Sequence, residues 1–101
     1  MINIISTMNV KAIPSIYQQV QQLGNLTKEH ILAGNIAMAK SCLQRAEDIF
    51  KIGSTEMKNA IVNGYVFSVT LFMEMHQYNI KQFLPKSLHS EYQKQIYSSG
   101  L

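Results

Sequence analysis

The sequence predicts an all-α protein, a compact bundle of five to six helices around one central hydrophobic helix. Apolar residues recur three and four positions apart along most of the chain, as they do on one face of an α-helix. The 101 residues include only two prolines and five glycines, so the composition is not that of a linker or a disordered tail. The segment richest in Val, Ile and Phe is too long to form a single strand.

We expect one domain, because 101 residues with 47% hydrophobic composition match the size of a single globular unit. We place it at residues 1–101, with an ordered part over about 12–98. The first ten residues lack the basic start and the unbroken apolar run of an export signal. Cys42 is the single cysteine and cannot form an intramolecular disulfide, which is typical of a reducing compartment. A cytoplasmic location is therefore expected.

Two short helices are predicted at the start of the bundle. The first covers about residues 14–23, with Pro14 in its first turn and Gly24 at its end. Thr27 then caps a second helix over about 28–33. The apolar positions that support the first helix are Ile13, Ile16, Tyr17, Val20 and Leu23.

The third helix is predicted from Asn35, its N-cap, to Gly53, which ends it. Glu47 and Lys51 are one turn apart and are expected to form an exposed ion pair. The apolar face consists of Ile36, Ala39, Leu43, Ala46 and Phe50, and the opposite polar face of Lys40, Gln44, Glu47 and Lys51.

The fourth helix is predicted to be central, because its apolar residues cover most of its circumference. Ser54 or Thr55 caps it, and it runs to about His76. At 100° per residue one narrow polar line remains, and it either faces water, or hydrogen-bonds to another helix, or contacts a ligand. The first two roles are the commoner ones for such residues. The line consists of Asn59, Asn63, Thr70 and Glu74.

The chain is predicted to end with two more helices separated by a proline break. Asn79 caps a short helix through Leu84, and Pro85 then disfavours the helical conformation of the residue before it. The last helix covers about residues 86–98. Its apolar positions are Leu88, Tyr92 and Ile96.

A glycine turn followed by small residues stands at the start of the third helix. The pattern consists of Gly34, Asn35, Ile36, Ala39, Leu43 and Ala46. It resembles the second half of a tetratricopeptide repeat, in which small residues let two helices approach closely. Three such repeats with caps do not fit into 101 residues, so we expect one repeat-like helical hairpin within a closed bundle.

A longer pattern extends over roughly residues 23–97. It consists of Ala39, Leu43, Ala46 and Glu47, then Gly53, then Asn59, Ala60, Ile61, Asn63, Tyr65, Val66, Phe67 and Ser68, and finally Leu84, Pro85, Leu88 and Tyr92. This looks like a family of small bacterial all-α proteins of unknown function. The resemblance implies a bacterial, cytoplasmic and helical protein, and it carries over no catalytic or binding residue. Gly64 stands where the pattern would have a larger apolar residue.

No catalytic, cofactor or metal residue is expected. His30, His76 and His89 do not share the spacing that places two ligands on one helical face. Cys42 lies at the margin of an apolar face and is interpreted as a small buried hydrophobe rather than a nucleophile. An enzyme would require a cysteine, a histidine and an acid to converge in one pocket. We therefore predict a protein that is not an enzyme.

The partners are predicted from charge and from exposed apolar residues. Nine Lys and Arg against six Asp and Glu give a net charge of +3, but the lysines are scattered and Arg45 is the single arginine. The excess of positive charge makes a nucleic-acid-associated regulator the alternative function. The scattered lysines do not favour nucleic acid as a partner. The longest uncharged run, 59–73, is shorter than the roughly 20 residues of a membrane span.

The leading prediction is a protein-interaction or regulatory module that acts through an apolar groove beside the fourth helix. Its large apolar side chains exceed what one helix face can bury in a small monomer, and such side chains are enriched at protein interfaces. We expect a protein partner or a second copy in a two-fold dimer. The side chains in question are Met57, Met73, Met75, Phe67 and Phe72.

Overall fold

The structure is a computed structural model that describes residues 15–99, with side chains to residue 96. Within this range it contains five helices and no strand, which confirms the predicted all-α fold. The helices are α1 (Ile16–Leu32), α2 (Ile36–Ile52), α3 (residues 55–75), α4 (Ile80–Phe83) and α5 (Lys86–Ser99). α3 has three consecutive segments, which are α-helical Thr55–Ala60, π-helical Ile61–Val66 and α-helical Phe67–Met75.

The central helix α3 supplies the largest share of the buried apolar side chains. It packs against α1, α2 and α5, so the prediction of a central hydrophobic helix is confirmed. Ser54 is its N-cap and accepts a hydrogen bond from the amide of Met57 at 3.2 Å. The side chains of α3 in the core are Ala60, Ile61, Tyr65, Val66, Val69 and Met73.

The break predicted between the first two helices is wrong, because α1 continues through Gly24 without interruption. Gly24 is buried, and a Cβ there would lie 3.7 Å from the side chains of Tyr65 and Val69. A glycine within a helix costs about 1 kcal/mol relative to alanine, which packing of this amphipathic face outweighs. Ile13 and Pro14, which the sequence predicts in the first helix, lie outside the described residues.

Thr27 is not a helix cap but a buried residue in the middle of α1. Its hydroxyl donates to the carbonyl of Leu23 at 2.8 Å and lies 2.8 Å from the hydroxyl of Tyr65. Both buried hydroxyls therefore have partners. Burial of Tyr65 raises the pKa of its phenol well above the ordinary value, so this pair is neutral.

α2 has the predicted bounds. Asn35 is its N-cap, with its side-chain oxygen 3.3 Å from the amide of Met38, and Gly53 follows its last residue. Gly34 has φ of 78°, a conformation that side chains other than glycine rarely adopt, and it turns the chain between α1 and α2. A helical hairpin is thus present, while its relation to the tetratricopeptide repeat stays a prediction.

The exposed ion pair predicted for Glu47 is wrong, because Glu47 is only 4% exposed. Its carboxylate accepts hydrogen bonds from the amides of Ser87 and Leu88, each at 3.1 Å. These amides belong to the first turn of α5, where Pro85 has no side chain that could accept them. Glu47 therefore caps α5 from a helix forty residues away in sequence.

The bounds of the last two helices agree with the sequence prediction, but the predicted capping by the Asn79 side chain is wrong. Asn79 precedes α4, although its side chain makes no cap hydrogen bond in the described structure. Leu84 has ψ of 129°, an extended conformation, and Pro85 separates α4 from α5. Leu88 of α5 is fully buried against the core.

We predict that Glu47→Ala lowers the free energy of unfolding by about 2–4 kcal/mol, because the buried amide of Leu88 and the partly buried amide of Ser87 lose their acceptor, at about 1–3 kcal/mol for a buried group. Urea denaturation measures the change. Asp48→Ala is the matched control, since Asp48 is an exposed acid on the same helix, and its effect is expected to stay below about 0.5 kcal/mol. Equal effects of the two substitutions would contradict the capping role.

We also predict that Gly24→Ala raises the free energy of unfolding by about 0.5–1 kcal/mol, because a Cβ at this helical position meets ordinary van der Waals contacts. Gly64→Ala is the comparison. Its Cβ would lie 3.2 Å from Val20, so Val20 must shift and the gain is smaller or lost. Thermal unfolding of both variants measures the difference, and a destabilised Gly24→Ala protein would show that the packing of Tyr65 and Val69 does not accommodate the added methyl group.

Candidate interaction surface

Three large apolar side chains of α3 are exposed one turn apart. Phe67, Leu71 and Met75 are 55%, 44% and 73% exposed. Positions four apart lie on one face of a helix, so the three form a continuous apolar strip, which we call the ridge. Val69 and Met73, on the opposite side of the same segment, are fully buried.

A groove lies on each side of the ridge. The groove between α3 and α1 has a volume of about 280 Å³ and is bordered by Lys28, Phe72 and His76. The groove between α3 and α5 has a volume of about 130 Å³ and is bordered by Glu74 and Ile96, among others. The ridge therefore stands between two concave surfaces.

Hydrogen bonds and ring contacts hold the borders of both grooves in place. On the α1 side, the amino group of Lys28 donates to the hydroxyl of Ser68, and the rings of Phe72 and His76 lie 4.4 Å apart. On the α5 side, the Tyr92 hydroxyl donates to the Glu74 carboxylate at 2.6 Å. Each groove thus has a charged side chain at its border, a cation on one side and an anion on the other.

The environment of Tyr92 alters its titration. Partial burial, together with the hydrogen bond to Glu74 and the negative charge of that carboxylate, raises the pKa of Tyr92 to about 12. The neutral phenol, which donates to Glu74, is the form that this arrangement favours.

The predicted polar line of Asn59, Asn63, Thr70 and Glu74 does not form one continuous surface. Asn59 and Asn63 are exposed on the first half of α3, and Glu74 is exposed but bonded to Tyr92 of α5. Thr70 is buried, and its hydroxyl donates to the carbonyl of Val66 at 2.7 Å. The line was drawn at 100° per residue, and the π-helical segment has more residues per turn, so positions after it are rotated. A ligand role for Asn59 and Asn63 stays a prediction.

The five large apolar side chains that were expected to exceed what one helix face can bury differ in their exposure. Met73 is fully buried, Met57 and Phe72 are half-buried, and Phe67 and Met75 are exposed. Leu71, at the centre of the ridge, was not singled out from the sequence. The i, i+4, i+8 spacing of the ridge was available in the sequence, but it could not be distinguished from the equally apolar spacings that face the core.

Within the described part of the chain, no group of three or more His, Cys, Asp or Glu side chains lies close enough together to hold a metal ion. Cys42 is buried and unpaired with another cysteine. None of the described helices is long and apolar enough to cross a membrane.

We predict that Glu74→Gln lowers the pKa of Tyr92 from about 12 toward its ordinary value of 10.0, because the adjacent negative charge is lost. Because the pKa of Tyr92 is higher in the folded than in the unfolded chain, the protonated phenol contributes to the stability of the folded state. This contribution is complete below pH 10 and is lost as the pH rises through about 12. Absorbance of the phenolate measures the titration, and Tyr92→Phe identifies the signal. The control Glu56→Gln, at an exposed carboxylate near the start of α3, is expected to leave the titration unchanged.

Comparison with known proteins identifies a family for this chain but no individual relative. A search of curated proteins and a search of solved structures each found no match. The family described as a domain of unknown function, DUF7674, matches residues 5–98. This agrees with the resemblance to a family of unknown function, while the bacterial origin stays a prediction. Because the match extends over nearly the whole sequence, the chain belongs to the DUF7674 family.

Proposed function

We propose that the chain is a non-enzymatic protein-interaction module that associates with a second copy of itself through the ridge. The observation that carries this proposal is the exposure of Phe67, Leu71 and Met75 on one face of the central helix. Contiguous exposed apolar surface is characteristic of binding sites, whereas single exposed apolar residues are ordinary. Ile52 is such a single residue, at the end of α2.

The shape of the surface supports a second copy as the partner. Two-fold interfaces are self-complementary, because each copy presents the same patch to the other. A ridge with a groove beside it has this property, since the ridge of each copy can enter a groove of the other. The groove volumes of about 280 and 130 Å³ leave room for side chains such as Phe67 and Met75.

The charges beside the ridge support the same partner. Lys28 borders one groove and Glu74 borders the other, on opposite sides of α3. A two-fold axis that runs parallel to α3 places the Lys28 side of one copy opposite the Glu74 side of the other. Opposite charges at the rim of an interface favour the correct orientation of the two partners.

The contacts of the lysines do not favour the nucleic-acid alternative. Lys58 donates to the carbonyl of Phe50 at 2.7 Å, and Lys94 pairs with Glu91 at 3.0 Å. These cations are engaged within the chain rather than gathered into a patch that follows a phosphate backbone.

Sedimentation equilibrium tests the proposal. We expect the unmodified chain to form dimers, and Phe67→Glu and Met75→Glu each to raise the dimer dissociation constant at least about tenfold, because each places an unpaired charge in an apolar interface. Ile52→Glu is the matched control, an exposed apolar residue away from the ridge that receives the same change, and it should leave dimerisation intact.

Two results would overturn self-association through the ridge. One is a chain that stays monomeric at millimolar concentration. The other is dimerisation that Ile52→Glu weakens as much as the ridge substitutions do. Thermal unfolding of each variant confirms that its monomer is folded.

A further inference from the structure

An apolar groove away from the ridge lies between the first half of α1, the second half of α2 and the start of α3. It has a volume of about 340 Å³. Val20 and Ile61, which belong to the buried core, are among its lining residues, so the floor of the groove is the core of the bundle. We call it the core groove.

We propose that the core groove binds a medium-chain aliphatic carboxylate, with the hydrocarbon chain along the apolar floor and the carboxylate on Arg45. This inference does not depend on the proposed dimer, because the lining residues of the core groove are separate from those of the two grooves beside the ridge. The composition of the lining, the position of its cation and the dimensions of the groove each support this class of ligand.

The lining of the core groove is apolar except at three positions. Seven of its ten residues are Ile, Val, Leu or Met, and the other three are two glutamines and Arg45. Small-molecule sites have this composition, with a mostly apolar wall and a few polar groups that orient the ligand. None of the described residues that line the groove is acidic, so its one charge is a cation. A ligand that matches both features has an apolar body and one anionic group.

The guanidinium of Arg45 is not engaged with an acid of the same chain. Among the described side chains, Arg45 takes part in no ion pair. Asp48, the acid one turn further along α2, accepts a hydrogen bond from the amide of Gln44 at 3.0 Å instead. A guanidinium presents paired N–H donors that match the two oxygens of a carboxylate. Charge complementarity therefore favours a carboxylate as the anionic group of the ligand.

Arg45 lies away from the apolar end of the core groove. Arg45 is eleven residues after the Gly34 turn and Leu23 is eleven residues before it, so the helical hairpin places these two residues at the same level. Ile16, which also lines the groove, is seven residues from Leu23 along α1, a distance of about 10 Å. A carboxylate bound at Arg45 therefore leaves the chain of the same ligand to follow the apolar floor toward Ile16.

The dimensions of the core groove favour one unbranched chain of about eight to ten carbons. The part of α1 that lines it, from Ile16 to Leu26, is about 15 Å long, so the volume corresponds to a mean cross-section of about 23 Å², or about 5 Å in width. Non-bonded carbon atoms approach to about 4 Å, so one hydrocarbon chain fills this width. At roughly 30 Å³ per atom, the volume share of a water molecule, the groove holds about eleven non-hydrogen atoms. Octanoate has ten such atoms and decanoate has twelve.

Titration calorimetry of the full-length chain with decanoate, below the concentration at which it forms micelles, tests the proposal. We expect one decanoate per chain, with a dissociation constant below about 1 mM. Hexanoate is expected to bind at least about tenfold more weakly, because four fewer methylene groups are buried. Equal affinity for the two acids would contradict the binding of the chain in the groove.

Two pairs of substitutions test the two parts of the site. Arg45→Gln is expected to weaken decanoate binding at least about tenfold, because a charge-assisted hydrogen bond is lost. Lys40→Gln is its control, since Lys40 is an exposed cation of α2 that does not line the groove. Leu26→Gln is expected to weaken binding at least about threefold, because apolar contact with the chain is lost. Its control is Leu32→Gln, at an exposed leucine of α1 outside the groove, and neither control is expected to alter binding.

Methyl NMR spectra locate the bound decanoate. We expect shift changes at Val20 and Ile61 on the floor of the groove and none at Leu71 on the ridge. The proposal is wrong if millimolar decanoate does not bind, if Arg45→Gln and Lys40→Gln have equal effects, or if the shift changes are confined to Leu71. Shifts of Val20 and Ile61 that follow the protein concentration rather than the decanoate concentration would identify a second copy as the occupant, and would likewise contradict the proposal.

Discussion

The burial of α3 against three other helices determines where the rest of the chain lies. Tyr65 shows the constraint most clearly, because its large side chain is fully buried and its hydroxyl still needs a partner. Thr27 supplies that partner only if α1 crosses α3 at this point and continues as one helix. The hydrogen bond between Thr27 and Tyr65 therefore requires that α1 is continuous and that Gly24 is helical.

The π-helical segment decides which face of α3 is exposed. One more residue in a turn rotates everything that follows, so Thr70 enters the core and Phe67, Leu71 and Met75 face outward. The amide of Phe67 bonds to the carbonyl of Val62, and Gln95 of α5 donates to the same carbonyl at 3.2 Å. π-helical turns occur often at functional sites, and here the turn immediately precedes the ridge.

Two helix ends are capped by side chains from other helices rather than by neighbours in sequence. Glu47 of α2 accepts from the first turn of α5, and Lys58 of α3 donates to the carbonyl of Phe50 near the end of α2. Such caps satisfy backbone groups that the local sequence leaves without partners. They also link α2 to α3 and to α5, so the positions of these helices depend on polar contacts as well as on apolar packing.

The amino-acid sequence by itself determined the helical class, the bounds of α2 and α5, and the central role of α3, because these follow from apolar spacing, from Asn35 and Ser54 as N-caps and from Pro85 as a break. Tertiary structure alone decided the roles of Gly24, Thr27, Glu47 and Thr70. A local pattern treats glycine as a stop, threonine as a cap and glutamate as a surface residue, since those are the roles that need no distant partner. Each of these residues instead packs or bonds in a place that exists only when the helices are assembled, and the exposed ridge arises for the same reason.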